Sequence, residues 1–213
     1  MANIDKQGEL DKILGVAGIG STKNTIPKDA LEELLREELT PDITSVPMAT
    51  LRRYAESTNE EDKLMAATNI GATSEMLKRL SICEYTSVRK AVAMHPNTPV
   101  ETLTILSDDV RFEVRLRAAK NIHTPMKTLL KLAGDSDMYI KAAVASNPNA
   151  TAEILMVLFI EAEPIVLKEI AKHNNTPIFL LEKIIRMYDP DITAEASKNP
   201  NYEKTFIDIR MTD

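Results

Sequence analysis

Apolar side chains in this chain return every 26 residues, in two short clusters joined at a polar corner. The corner is marked by Asn69, His95, Asn121, Asn147, His173 and Asn199, which share one register without an insertion. Asn and His together account for only 15 of the 213 residues, so the filling of every corner by one of them sets the period. Two positions before the corner stand Ala67, Ala93, Ala119, Ala145, Ala171 and Ser197. Seven before stand Val88, Val114, Ile140, Val166 and Ile192, with Asp62 as the exception. Eight after stand Leu77, Leu103, Leu129, Leu155, Leu181 and Ile207, and Leu51 extends that column one period upstream. Eleven after stand Leu80, Leu106, Leu132, Leu158 and Ile184.

Each half predicts a helix. In the first, apolar or small residues recur at i, i+4 and i+5, as in Val88, Val92 and Ala93. The Ala column predicts a point where neighbouring backbones approach closely. The Asn or His that follows suits a helix end, where Asn tolerates the left-handed conformation, and Pro96, Pro148 and Pro200 forbid continuation. The second half opens with Thr98-Pro99-Val100-Glu101, which predicts Thr at the N-cap, Pro at the first helical position and Glu three residues after the cap. Thr124-Pro125 and Thr176-Pro177 repeat the signal, and Val46-Pro47 is a degenerate copy upstream. Met126, Leu129 and Leu132 then form one apolar stripe. Strands are excluded because Ala, Leu, Met and Lys dominate and period-2 alternation is absent.

Helices of about 8–10 residues are marginal alone, and stacking equivalent units buries each stripe on its neighbours. The expected architecture is therefore all-α: a solenoid of about six two-helix repeats of 26 residues. Residues 1–23 are expected to form an N-terminal helix followed by a mobile loop containing Gly15, Gly18 and Gly20. Residues 24–57 are expected to form an irregular helical cap and a partial repeat, with Ala30 to Leu35 lying out of register. Residues 58–213 are the repeat solenoid, closed by a C-terminal cap in which Ser197, Glu203 and Arg210 turn the columns polar.

The run Val88-Arg89-Lys90-Ala91-Val92-Ala93-Met94-His95-Pro96-Asn97-Thr98-Pro99, followed by Leu103, Leu106 and Asp109, resembles a unit of the leucine-rich repeat variant family. Its columns of Val-Arg, Ala, Asn-Pro, Thr-Pro, paired Leu and Asp recur from Val114 to Asp135 and from Ile140 to Glu161, and the resemblance spans about residues 58–207. It implies a right-handed superhelix of alternating α-helices and shorter, often 3₁₀, helices, in a family that is not catalytic as such. Some members carry an N-terminal cysteine cluster that binds iron and sulfur. Cys83 is the single cysteine here and cannot supply one, so no cofactor is expected.

The chain is 44% hydrophobic and 27% charged, as a globular protein requires. Six Gly are thin material for a nucleotide-binding α/β enzyme. The lone cysteine excludes a disulfide framework and a multi-thiolate zinc site, and points to a reducing, cytoplasmic setting. No apolar run is long enough to span a membrane. Gly15 to Thr22 has the glycine spacing of a P-loop but lacks the Lys before Ser/Thr and follows no strand. His95 and His173 stand three repeats apart in the corner column, so with helices packed about 8–10 Å apart they are too distant to share an ion. His123 lies just past another corner. These features predict no enzyme and no metal site.

Net charge is −6, yet residues 63–141 carry 12 basic and 8 acidic side chains. Six residues before the corner stand Lys63, Arg89, Arg115 and Lys141, a line of cations spaced about 10 Å apart on stacked units. One reading pairs each with an acid of the preceding turn, Asp109 with Arg115 and Asp135 with Lys141, as a ladder tying repeats together. The other joins them to Lys90, Arg117 and Lys120 as a candidate binding stripe for carboxylates or phosphates. The absence of interleaved aromatics removes any provision for base stacking. The functional expectation is a non-enzymatic scaffold for a protein or peptide, with nucleic-acid binding at the basic repeats as the alternative.

Overall fold

In a computed structural model the chain divides into two compact units, residues 1–43 and 44–213. The structure describes residues 46–202 apart from Tyr188, all within the second unit. The expected helix and loop at 1–23, the cap around Ala30 to Leu35, and Glu203, Ile207 and Arg210 lie outside the described residues.

The second unit is helical, with no strand among its described residues. Long helices are α2 (Glu60–Thr68), α4 (Thr86–Met94), α6 (Phe112–Lys120), α8 (Met138–Ser146), α10 (Pro164–Lys172) and α12 (Pro190–Ser197). They alternate with α1 (Met48–Glu56) and the short helices α3 (Ser74–Leu80), α5 (Val100–Leu106), α7 (Met126–Leu132), α9 (Ala152–Phe159) and α11 (Ile178–Ile185). The second halves are thus short α-helices. From α2 to α12 each long helix stacks directly on the next, whereas the short helices pack chiefly against the long helices beside them.

The columns explain this asymmetry. Ala67, Ala93, Ala119, Ala145 and Ala171 are completely buried, and a methyl group there lets neighbouring long helices close up. On the other side Leu77, Leu103, Leu129, Leu155 and Leu181 are completely buried and fill the wider space between short and long helices. Each such leucine contributes about 1.5–3 kcal/mol through removal from water.

Corner residues depart from the left-handed cap expected of Asn. At Asn69, His95, Asn121, Asn147 and His173, φ lies between −76° and −69° and the backbone is extended. Their side chains, not their backbone freedom, select the residue type. Asn147 accepts from the N–H of Asn149 at 2.9 Å, closing a tight turn, and donates through Nδ2 to the carbonyls of Ala119 at 2.7 Å and Asn121 at 2.9 Å in the previous repeat. Asn121 and Asn199 repeat this pattern on Ala93 and His95, and on Ala171 and His173. His95 and His173 imitate it: Nδ1 accepts from Asn97 or Asn175, which leaves Nε2–H to donate to the carbonyl of Asn69 or Asn147. Each imidazole thereby supplies one inter-repeat bond where an amide supplies two.

The Thr-Pro start signal is displaced by one residue. Pro99, Pro125 and Pro177 occupy the N-cap, and the helices begin after them. Thr98, Thr124 and Thr176 donate instead to the carbonyls of Val92, Ala118 and Ile170 at 2.5–2.6 Å, closing the C-terminal end of the preceding long helix. Where the proline is absent, Thr73 and Thr151 stand in its place and cap Met76 and Ile154. Val46-Pro47 follows the proline pattern, with Pro47 at the N-cap of α1 and Leu51 buried as its column requires.

A second ladder, unread in the sequence, runs two residues past the corner. Asn97, Asn149 and Asn201 donate to the carbonyls of Ile70, Ile122 and Asn174, and Asn175 donates to that of Ala150. Its signal is the same 26-residue period, through Asn97, Asn149, Asn175 and Asn201. Exposed His123 occupies this column and makes no such side-chain bond, so the ladder breaks between α4 and α6. The buried core divides nearby into one set of touching side chains from Leu51 to Ala118 and another from Ala119 to Ala196. On the short-helix side Thr102 and Thr128 replace the apolar Met76, Ile154 and Leu180 of the other repeats, and Thr128 shares a 3.0 Å hydrogen bond with Thr104.

Two stability outcomes follow from the corners, read as urea unfolding midpoints. Asn147→Asp removes both donors and buries a charge against carbonyls, with an expected cost of at least about 3 kcal/mol; Asn147→His should cost only about one hydrogen bond, 0.5–1.5 kcal/mol. Equal loss from the two would refute the donor–acceptor account. His123→Asn should restore the missing rung and raise stability by about 0.5–1.5 kcal/mol, and an unchanged or lowered midpoint would count against it.

Candidate functional site

The four cations six residues before the corner lie along the edge where short helices hand over to long ones. Arg89 and Arg115 each hold two successive loops. Arg89 donates through Nη1 to the carbonyl of Cys83 at 2.9 Å, and through Nε and Nη2 to the Asp109 carboxylate at 2.6 and 3.1 Å. Arg115 repeats this on the Asp109 carbonyl at 2.9 Å and on Asp135 at 2.7 and 3.2 Å. The ladder is therefore shifted one repeat from the pairing suggested by sequence spacing. Six residues back, Arg115 finds the backbone of Asp109, whose carboxylate has turned to Arg89. That carboxylate also accepts from the N–H of Arg111, and Asp135 accepts from that of Asp137, so each aspartate fixes the entry to the next long helix.

These pairs are sequestered, with side-chain exposures of 12% and 7% for Arg89 and Asp109 and of 20% and 10% for Arg115 and Asp135. Burial alone would raise both carboxyls. The bidentate arginine, the backbone N–H and the neighbouring cations outweigh it and hold Asp109 and Asp135 below the usual carboxylate range. At the ends of the line the contacts loosen: Lys63 lies 3.9 Å from Glu84, and Lys141 lies 3.8 Å from Glu163. Cys83 takes the aspartate position below Lys63. Burial pushes its thiol up despite the nearby Tyr85 carbonyl and cations, which leaves it protonated and a poor nucleophile.

Lys90, Arg117 and Lys120 occupy different ground. Lys90 and Arg117 are half-buried on α4 and α6 and Lys120 is exposed at the end of α6, and among the described residues none has an ion-pair partner. The seven cations singled out in the sequence thus separate into four at the loop edge and three elsewhere on the long helices. Lys168 joins the second group from α10, also without an ion partner, and its position one turn into a long helix is the signal that would have found it. Among the described residues no set of three or more His, Cys, Asp or Glu side chains could hold a metal ion. No described helix is long and apolar enough to cross a membrane.

Residues 87–110, from α4 through α5 and into the Asp109 loop, match the family model for the leucine-rich repeat variant. That stretch is similar to a leucine-rich repeat variant unit. Among solved structures, a protein described as a leucine-rich repeat variant with a novel repetitive structural motif is 17% identical, with a TM-score of 0.59 over 93% of this chain and 88% of its own. At that identity the likeness shows the fold, a helical repeat solenoid. An engineered protein from a structural genomics consortium is also 17% identical, over 72% of this chain and 95% of its own, with a TM-score of 0.43. No curated protein matches. The repeat-variant unit accounts for the Val-Arg and Asp columns as a structural device, since in this chain they make the Arg–Asp ladder.

The ladder has a pH signature. Asp109 and Asp135 titrate below the unfolded value of about 3.9, so the stability they contribute is present above that value and is lost as pH falls through their folded pKa. The Asp109→Asn, Asp135→Asn double variant should be less stable at pH 7 and should show a shallower loss of urea midpoint below about pH 4. An acid limb as steep as the wild type's would remove the assignment.

Proposed function

We propose that this repeat protein is a non-enzymatic scaffold that binds a protein or peptide across the outward face of its long helices, in a reducing compartment such as the cytoplasm. The observation that carries this reading is the division of charge. The sequestered arginines are committed to holding the repeats together, whereas Lys90, Arg117, Lys120 and Lys168 of the long helices have no ion-pair partner among the described residues, on helices that also carry exposed apolar side chains such as Met94 and, on α8, Tyr139, at 56% and 51% exposure. A stacked solenoid presents such a face as one extended surface, and a mixture of aromatic, methionine and arginine side chains is what protein interfaces favour. Nucleic-acid binding has weaker support, because Arg89 and Arg115 are saturated by Asp109 and Asp135 and so contribute little to a phosphate-tracking stripe.

Tagged full-length protein incubated in native lysate should recover a stoichiometric partner. Recovery should be lost in Lys90→Glu, Arg117→Glu and retained in Lys127→Glu, which changes an exposed residue on α7. Recovery that is indifferent to the first pair, or no reproducible partner, would overturn the reading.

A further inference from the structure

Each short helix has one side on the core and one side open. On α7, Thr128, Leu129 and Leu132 are buried, whereas Met126, Lys127, Leu130 and Lys131 are exposed. The next short helix, α9, divides in the same way: Ile154, Leu155 and Leu158 are buried, and Glu153, Met156 and Val157 are exposed. The open side of this pair is rich in apolar groups. Met126, Leu130, Met156, Val157 and Ile160 are exposed by 38–77%, and Val100 and Ile105 on α5 and Phe179 on α11 fall in the same range. Apolar surface on the order of several hundred Å² on one face marks a place where something binds.

The two helices are complementary to each other. They are one repeat apart, so each residue of α7 has an equivalent 26 positions further on in α9. Large Met126 has small Ala152 as its equivalent, Lys127 has Glu153, and Gly134 has Ile160, while Leu130 and Met156 are both apolar. Lys127 and Glu153 are exposed and have no ion-pair partner among the described residues. A Cβ added to exposed Gly134 would meet nothing closer than the Lys131 carbonyl at 3.5 Å, so the surface above it is open. Ile160, by contrast, stands 77% exposed.

We infer that the occupant of this face is a second copy of the chain, joined in a two-fold dimer through α7 and α9. Equivalent helices of a solenoid run the same way. A two-fold axis parallel to them and midway between α7 and α9 keeps that direction, and lays α7 of one copy over α9 of the other with equivalent positions facing. Lys127 then meets Glu153 twice, Leu130 meets Met156 twice, and each Ile160 enters the open surface over the other copy's Gly134. At the margin Val100 lies over Ile178. An axis centred on either helix would instead set Lys127 against Lys127 or Glu153 against Glu153. A foreign partner gains nothing from α7 and α9 being opposites of each other, whereas a second copy uses every such pair. A stable dimer buries about 800 Å² on each copy, which the apolar patch and its Lys and Glu border match in size. This interface is separate from the long-helix surface of the scaffold reading, so either can fail without the other.

The test is sedimentation equilibrium of the full-length protein over a range of concentrations, with circular dichroism confirming the fold of each variant. A monomer–dimer equilibrium with a micromolar or tighter Kd is expected. Ile160→Glu should abolish the dimer, because it places a carboxylate in the apolar contact while altering a side chain that is exposed in the single copy. Lys127→Glu should weaken association about tenfold, and adding Glu153→Lys to it should return the Kd to within about threefold of the wild type. Lys198→Glu, an exposed change at the end of α12, should leave it unaltered. A wild type that stays monomeric at about 100 μM would overturn the proposal, whatever other protein binds this face. So would a dimer indifferent to Ile160→Glu, or a charge exchange that fails to restore association.

Discussion

The two-sided hydrogen bonding of the corner residue is the constraint from which the rest of the solenoid follows. One side chain must accept from a backbone N–H two residues on and donate to carbonyls of the preceding repeat. Asn does both with its amide, and His does both in the tautomer protonated on Nε2. Asp lacks the donor, and a residue without a polar side chain would leave carbonyls unpaired at the end of every long helix, where the helix cannot satisfy them itself. Because these carbonyls belong to the neighbouring repeat, the bond that finishes one unit also positions the next. The Ala column beside it is small for the same reason, since only close contact between long helices brings the amide within reach.

At the opposite edge of each repeat, Arg89 and Arg115 tie consecutive loops together with an equivalent economy of groups. A guanidinium has donors for a backbone carbonyl and a carboxylate at once, which a lysine ammonium cannot match in fixed geometry. The line accordingly weakens where lysine takes over, at Lys63 and Lys141, whose contacts lengthen to 3.9 and 3.8 Å. This separates the cations by surroundings: Arg89 and Arg115 at the loop edge are committed to holding the stack, whereas Lys90, Arg117, Lys120 and Lys168 have no ion-pair partner among the described residues.

The middle of the stack is built differently from its flanks. Between α4 and α8 the second Asn ladder lacks its His123 rung, and Thr102 and Thr128 take places that are apolar elsewhere. The two Arg–Asp pairs occur over these same repeats, together with the Thr104–Thr128 bond. Polar contacts here stand in for part of the apolar contact that joins the flanking repeats, and directional bonds fix register where side-chain volume contributes less.

Repeat length, helical class and the identity of the buried columns were legible in the sequence, because period and burial are set by residue type: an Ala or Leu returning every 26 residues has one physical explanation, a face buried against an equivalent neighbour. The three-dimensional stack decided which atoms those columns use. Asn at a helix end is compatible with a left-handed cap and with an extended Asx turn, and only the proximity of the preceding repeat's carbonyls selects the second. Thr98 before Pro99 reads as a cap for the helix that follows, until Val92 is found with a carbonyl facing its hydroxyl. Asp109 lies six residues from Arg115 and twenty from Arg89, and sequence distance favours the wrong partner. The separation of sequestered from unpaired cations was invisible for the same reason: adjacent residues such as Arg89 and Lys90 point in different directions from one helix, and what each direction meets belongs to another repeat.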